Sequence, residues 1–306
     1  MKKIAIEFKN VNKSFGHKTV LNNINFKIYE GQFHGFIGAN GAGKTTSFRS
    51  LLGFYPSVTG EIEILGQSFK DQESKRKIGY IPEEATFPKK LKVFEYLEMM
   101  AQLSGLSVEQ GKLKVQELSK NHNLSEEILK KSGINLSSGE KKKVLLIQSL
   151  LNDPEILILD EPAANLDPKI RIELYEILKD LNKKGKTIFI SSHILAELEK
   201  YIDSYTVIEK GKIYETKTIQ EKTSEKEYSY YIKSPEIWIV EDSLKLFNKN
   251  YHVEYQIKDN IIHLKCDDLL FNKLLLYLLK KEIKIDSSGK QSVNLNDLYF
   301  DVLKAE

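Results

Sequence analysis

The chain has 306 residues, room for about two domains of ordinary size. Its 46 basic and 43 acidic residues leave a formal net charge of +3, which excludes a dominant electrostatic partner, so no nucleic acid is expected. A single cysteine, Cys266, excludes an intrachain disulfide, and no stretch of about 18 uncharged apolar residues occurs. A cytoplasmic chain is expected, with any membrane crossing left to another protein.

The N-terminal stretch MKKIAIEFKNVNKSFG alternates apolar and polar residues and reads as a strand rather than a secretion signal. A short apolar strand, FHGFIG, then runs into GANGAGKT, residues 38–45, with Gly38, Gly43, Lys44 and Thr45 at the fixed positions of G-x-x-x-x-G-K-[ST]. The glycines let the backbone through Asn40, Gly41 and Ala42 curl. Its N–H groups then converge into an anion nest ahead of the helix KTTSFRSLLGF, whose dipole also favours phosphate. Lys44 is placed to reach β and γ phosphates, and Thr45, followed by Thr46, to offer a hydroxyl to Mg2+, which prefers hard oxygen ligands. This spacing alone leaves kinase, GTPase, helicase and transporter motor open. A plain glycine-rich turn between strand and helix is the bland alternative.

Beyond IGYIPEE, residues 84–135 read as helices, with Val93, Tyr96, Leu97, Met100 and Leu103 at helical spacing, hence core or docking surface. INLSSGEKKKVLLIQSLL follows, and its run Lys141–Lys143 reads as a solvated face. ILILDEP, residues 156–162, is an all-apolar strand of the parallel-sheet kind that ends in Asp160 and Glu161. Ligands gather beyond the carboxyl ends of such strands, so Asp160 suits a magnesium ion and Glu161 suits the water that attacks a γ-phosphate. Two acids at an exposed strand end are the bland reading. In AANLDP, Asp167 and Pro168 fit a helix start, and TIFISSHIL places His193 at a strand end 33 residues after Asp160.

After about residue 218 the composition turns to alternating Tyr, Ile and Lys. Strands are expected at 227–233, 251–257, 260–265 and 283–287 and helices at 235–247 and 267–280, a small α+β domain of βαββαβ, ferredoxin-like type. NLNDLYFDVLK reads as a closing helix. His252, His263 and Cys266 fall at separate positions and read as structural.

With these residues in order, residues 1–218 resemble the ATP-binding-cassette (ABC) ATPases. In the signature element Leu136, Ser137 and Gly139 match, while Ser138 and Glu140 stand where the family has glycine and glutamine. The resemblance implies an α/β P-loop NTPase cassette, with a RecA-like core, an antiparallel β subdomain and a helical insert at about 84–150, followed by an accessory domain at 219–306. It implies ATP and Mg2+ as cofactors. It places Phe15 against adenine and Glu83, where many relatives carry glutamine, at the magnesium shell and the membrane partner. It puts Asp167 in the loop after the Asp-Glu strand and His193 against the γ-phosphate. Ser137 and Gly139 are expected to bind the ATP held by a partner's P-loop, so a homodimer or a paired nucleotide-binding subunit is implied. The helical insert would meet a transmembrane permease near Phe87 and Pro88, holding the chain at the inner face of the membrane. The Pro-Glu of IGYIPEE resembles the drug- and sodium-exporter branch, so an ATP-hydrolysing exporter subunit is expected. A soluble cassette ATPase and a nucleotide-gated regulatory module remain open.

Overall fold

In the computed structural model, which describes residues 2–84, 86–192, 195–224 and 229–290, residues 1–217 and residues 218–294 fall in separate units. The first unit holds two sheets. One is antiparallel, with spatial order Lys18–Tyr29, Ile4–Phe15, Thr59–Ile64, Gln67–Ser68. The other runs Lys212–Thr218, Ser204–Glu209, Phe33–Ile37, Thr187–Ser192, Ile156–Leu159, Ile78–Ile81. Its last five strands pair in parallel.

The sequence explains the difference between the sheets. Phe33–Ile37 and Ile156–Leu159 are buried at every position, as strands covered on both faces must be. Lys18–Tyr29 instead alternates buried and exposed residues along much of its length. Between the sheets Phe26 stacks on Phe8 at 4.5 Å and lies 5.5 Å from Phe36, which is 5.3 Å from Phe189, and Phe48 closes on Phe189 at 4.7 Å. Each such ring contributes roughly 2–3 kcal/mol by leaving water, so this stack anchors the strand Phe33–Ile37 from which the glycine-rich loop departs.

The helical insert comprises Val93–Leu103, Val108–Asn121, Glu126–Lys130 and a single 3-10 turn at Gly133–Asn135. Val93 and Leu97 enter the core as the spacing predicts, but Leu103, at the end of its helix, is 74% exposed. Phe87 is buried against the Tyr96 ring at 5.3 Å and against Gly133, where a Cβ would lie 2.3 Å from its own, while Pro88 is exposed. The lysine run also departs from a solvated face. The helix Ser138–Leu150 is packed against the sheet, Lys142 is buried with its ammonium donating to the carbonyls of Pro82 and Glu83, and Lys143 pairs with Glu173 at 2.7 Å. Among the described residues no helix is long and apolar enough to cross a membrane.

The second unit opens on a short helix, Ile219–Ser224, and then has the order strand, helix, strand, strand, helix, strand: Tyr230–Lys233, Ile237–Phe247, Glu254–Lys258, Ile261–Lys265, Asp268–Lys280, Ser287–Lys290. Its antiparallel sheet runs Glu254–Lys258, Ile261–Lys265, Tyr230–Lys233, Ser287–Lys290. Ile232, Ile262 and Leu264 pack with Leu244, Phe247, Phe271 and Leu274 of the helices. The Asp259-Asn260 turn, with φ of 49° and 62°, has the twist that a two-residue hairpin requires. The last strand lies later than 283–287, because Ile283 is spent filling the core behind the helix end and Asp286 donates its N–H to Lys233 before pairing begins. The expected closing helix lies outside the described residues.

His34 shows how tightly the parallel core closes. It is fully buried, its Nδ1 lies 2.9 Å from the Ser204 hydroxyl and its Nε2 2.8 Å from Thr206, and burial pushes its pKa from 6.5 down to about 3. The unfolded chain therefore takes up a proton that the folded chain refuses, so this residue's contribution to stability is intact above pH 6.5 and is lost as pH falls toward 3. Between pH 6.5 and 5 the protein is expected to lose about 2 kcal/mol that a His34→Gln chain keeps, as read by urea unfolding at the two pH values. Parallel pH profiles for the two chains would refute it.

Candidate active site

The glycine-rich loop, the two acids and Glu83 all leave the carboxyl edge of the parallel sheet. The strand Phe33–Ile37 ends at Gly38, where a Cβ would lie 2.2 Å from the carbonyl oxygen of Ile208, so only glycine lets the chain turn there. The loop reaches the helix Lys44–Leu51 through Gly43, whose φ of 117° is closed to ordinary side chains. It is also fastened from outside: Gly211, in the turn after Ser204–Glu209, donates its N–H to the carbonyl of Ala42 at 2.9 Å.

Lys44 is only 5% exposed. Its ammonium donates to the carbonyls of Gly38 at 2.7 Å and Ala39 at 3.1 Å and lies 3.3 Å from a carboxylate oxygen of Glu161. Asp160 follows the strand Ile156–Leu159 and is buried. A single hydroxyl organises both acids: Ser191 donates to Asp160 at 3.0 Å and accepts the backbone N–H of Glu161 at 2.9 Å. Burial raises the Asp160 pKa; hydrogen bonds from Thr45 and Ser191 oppose the rise, and the charge of Glu161 adds to it. Glu161 holds φ at 45°, a left-handed backbone that costs a non-glycine residue roughly 1–2 kcal/mol.

Around these groups lies a cleft of about 660 Å³, lined by Ala39, Asn40, Gly41, Gly43, Lys44, Thr45, Thr46, Glu83, Glu161, Lys18, Thr19, Val20 and Lys210. Three lysines and the amides of a helix start suit a polyphosphate. Among the described residues no three acidic, histidine or cysteine side chains gather as a metal centre, but Thr45, Glu83 and Glu161 line the cleft with oxygens, the atom type that Mg2+ selects.

Some expected residues stand apart from that cleft. Phe15 is 44% exposed at the end of its strand, edge-on to Tyr55 with the Lys13 ammonium 4.6 Å from its ring centre, but it pairs in register with Lys18, which does line the cleft. Ser137 and Gly139 begin the helix Ser138–Leu150. Ser137 caps it by accepting the N–H of Glu140, and the Glu140 carboxylate accepts the Ser137 N–H at 2.7 Å in return. Ser138 is an ordinary first helical residue, and Glu140 is held below its usual pKa by the Lys131 ammonium at 2.7 Å and by Ser137. Asp167 precedes Pro168 at the start of Pro168–Lys183, though its side chain makes no capping bond. His193 lies outside the described residues. Ser191, Lys18 and Lys210 escape a motif reading. The two serines that end TIFISS are a visible signal for the first, whereas a lysine at a strand start and one in a turn carry none.

The sequence model of the ABC transporter family matches residues 21–164. A putative ABC transporter ATP-binding protein of Mycoplasma pneumoniae is 49% identical over 212 residues, 68% of this chain and 65% of that protein's length. An uncharacterized ABC transporter ATP-binding protein of Methanocaldococcus jannaschii is 33% identical over 88% of this chain and 94% of its own. Among solved structures, an ATP-binding subunit of an ABC transporter superposes with a TM-score of 0.65 at 30% identity, covering 72% of this chain and 92% of that one. A dimeric ATP-binding cassette in a post-hydrolysis state with ADP and Pi gives 0.63 at 26% identity, over 70% and 98%. Loop, acidic strand and sheet order together define a P-loop ATPase of the cassette class. The chain belongs to the ABC transporter ATP-binding proteins.

Because the folded Asp160 has its pKa above the ordinary 3.8, the native state loses stability as pH rises through that interval, and the whole penalty is present at neutral pH. Asp160→Asn is therefore expected to raise the unfolding temperature of the nucleotide-free chain at pH 7, a gain that vanishes below pH 3.8. Thermal scans at both pH values check it, and an unchanged or lower midpoint at pH 7 contradicts it.

Proposed function

We propose that the chain is the ATP-hydrolysing subunit of an ABC exporter, acting as a dimer on a separately encoded transmembrane permease at the inner face of the membrane. The observation that carries this reading is the arrangement at the loop mouth, where one hydroxyl, that of Ser191, holds Asp160 and the backbone of Glu161, and Lys44 sits 3.3 Å from the Glu161 carboxylate.

In this reading Lys44 and the loop amides from Gly38 through Thr46 neutralise phosphate, and Phe15 receives the adenine ring. Thr45, Asp160 and Glu83 would hold Mg2+, which would supply neutralisation of the charge developing on the phosphates. Glu161 orients and takes a proton from the water that attacks the γ-phosphorus; breaking the bond to the β-phosphate oxygen leaves ADP and phosphate. His193 contacts the γ-phosphate from the next strand end. Ser137 and Gly139, at an exposed helix start, bind the ATP of the opposite subunit, with Asp167 beside the shared interface. ATP then closes the pair because each nucleotide touches both chains, and hydrolysis releases it. Dimeric cassettes among the similar structures support the pairing. Export is supported by 35% identity over 209 residues to a Nod factor export ATP-binding protein of Burkholderia lata, covering 68% of each chain.

Magnesium-dependent ATP hydrolysis over a protein-concentration series tests it. Turnover is expected to rise more steeply than linearly with protein. Glu161→Gln is expected to lower kcat by about 100-fold or more and to trap an ATP-bound dimer visible by size analysis. A first-order dependence on protein together with a fully active Glu161→Gln would overturn the motor, and failure to co-purify with any membrane protein would overturn the transport role.

A further inference from the structure

Lys142 is 8% exposed, an uncommon place for a lysine, on the helix that begins at Ser137. Its ammonium donates to two consecutive carbonyls, Pro82 at 2.9 Å and Glu83 at 2.6 Å. These belong to the segment that leaves the strand Ile78–Ile81 and carries Glu83 into the nucleotide cleft. A buried ammonium is tolerated only where oxygens replace its lost water, so the helix and this segment are held in one relative position by the requirement to keep those bonds. Burial also pushes the lysine down to about 8 against the pull of Glu83, Asp160, Glu84 and Glu161.

We propose that Lys142 is a positioning residue that ties the Pro82–Glu83 segment to the helix start at Ser137–Gly139, so that the segment's response to a bound nucleoside triphosphate is passed to the surface that would grip the other subunit's nucleotide. The inference rests on the reading of Ser137 and Gly139 as a phosphate-binding surface, and it assigns the link between the two to a side chain outside every motif. Carbonyl acceptors cannot be altered without altering the backbone, so the test falls on the donor. Lys142→Met keeps the stem's volume and removes the donors, while Lys142→Arg keeps them.

Hydrogen exchange of the full chain, with and without Mg-ATP, is read on peptides covering 38–46, 82–90 and 136–142. In the wild type all three respond. In Lys142→Met the first two still respond and the response at 136–142 falls to about a third or less, and Lys142→Arg restores it. A wild-type helix start that ignores ATP, or a Lys142→Met start that responds as the wild type does, overturns the proposal. Should Lys142→Met fail to fold, Lys142→Gln, whose shorter amide still donates, carries the same comparison with a partial loss expected. Failure of the nucleotide reading shows separately as no response at 38–46. The clamp is then judged in the nucleotide-free chain, where Lys142→Met must speed exchange at 82–90 and Lys142→Arg must not.

Discussion

The register between Ile156–Leu159 and Thr187–Ser192 decides what the site can do. Leu159 pairs with Ile190, so the next row of the sheet brings Asp160 beside Ser191, and their hydrogen bond is a consequence of that alignment. On the other side Ile81 pairs with Leu159, which delivers Pro82 and Glu83 to the same edge. In a parallel sheet a slip of one residue turns every side chain to the opposite face. Such a slip would bury Ser191 away from both acids and leave Asp160 without its donor, in a place where an unpartnered carboxylate is costly. The all-apolar strands and the aromatic stack behind them are what make that slip expensive. Catalytic geometry here is inherited from hydrophobic packing.

The signature element shows compensation at short range. A glutamate in place of the family's glutamine brings a negative charge to a helix start, where it favours the helix dipole but opposes phosphate. Glu140 is engaged on both sides, accepting the Ser137 N–H and pairing with Lys131, so the added charge is met by a cation nine residues earlier in the chain. Ser138 needs no glycine, because its backbone is helical rather than left-handed. Both departures from the family pattern thus leave the exposed hydroxyl and the bare backbone of Ser137 and Gly139 in place.

Much of this was legible in the sequence for reasons that can be stated residue by residue. Gly38, Gly43, Lys44 and Thr45 are readable because phosphate binding demands fixed spacing in a short loop, and Asp160-Glu161 because an unbroken apolar strand announces where its carboxyl end must lie. The order of elements after residue 229 was legible from periodicity, but the last strand was misplaced because Ile283, Lys284 and Ile285 alternate like a strand while Ile283 is consumed by the core. Phe87 read as a surface contact and is buried, since nothing local reveals that Gly133 leaves space for its ring. Lys142 was illegible for the same reason. A run of three lysines looks solvated until the tertiary structure places two carbonyls within reach of the middle one.

The bond from Gly211 to Ala42 has a consequence for how much of the chain is indivisible. The stretch matched by the family model stops at residue 164, yet the phosphate loop is buttressed from residue 211, and the hydroxyl that aligns its acids comes from residue 191. A fragment trimmed to that stretch would contain the glycine-rich loop and both acids and still lack the outer wall of its own loop. The nucleotide-binding body is therefore complete only with the turn that carries Gly211.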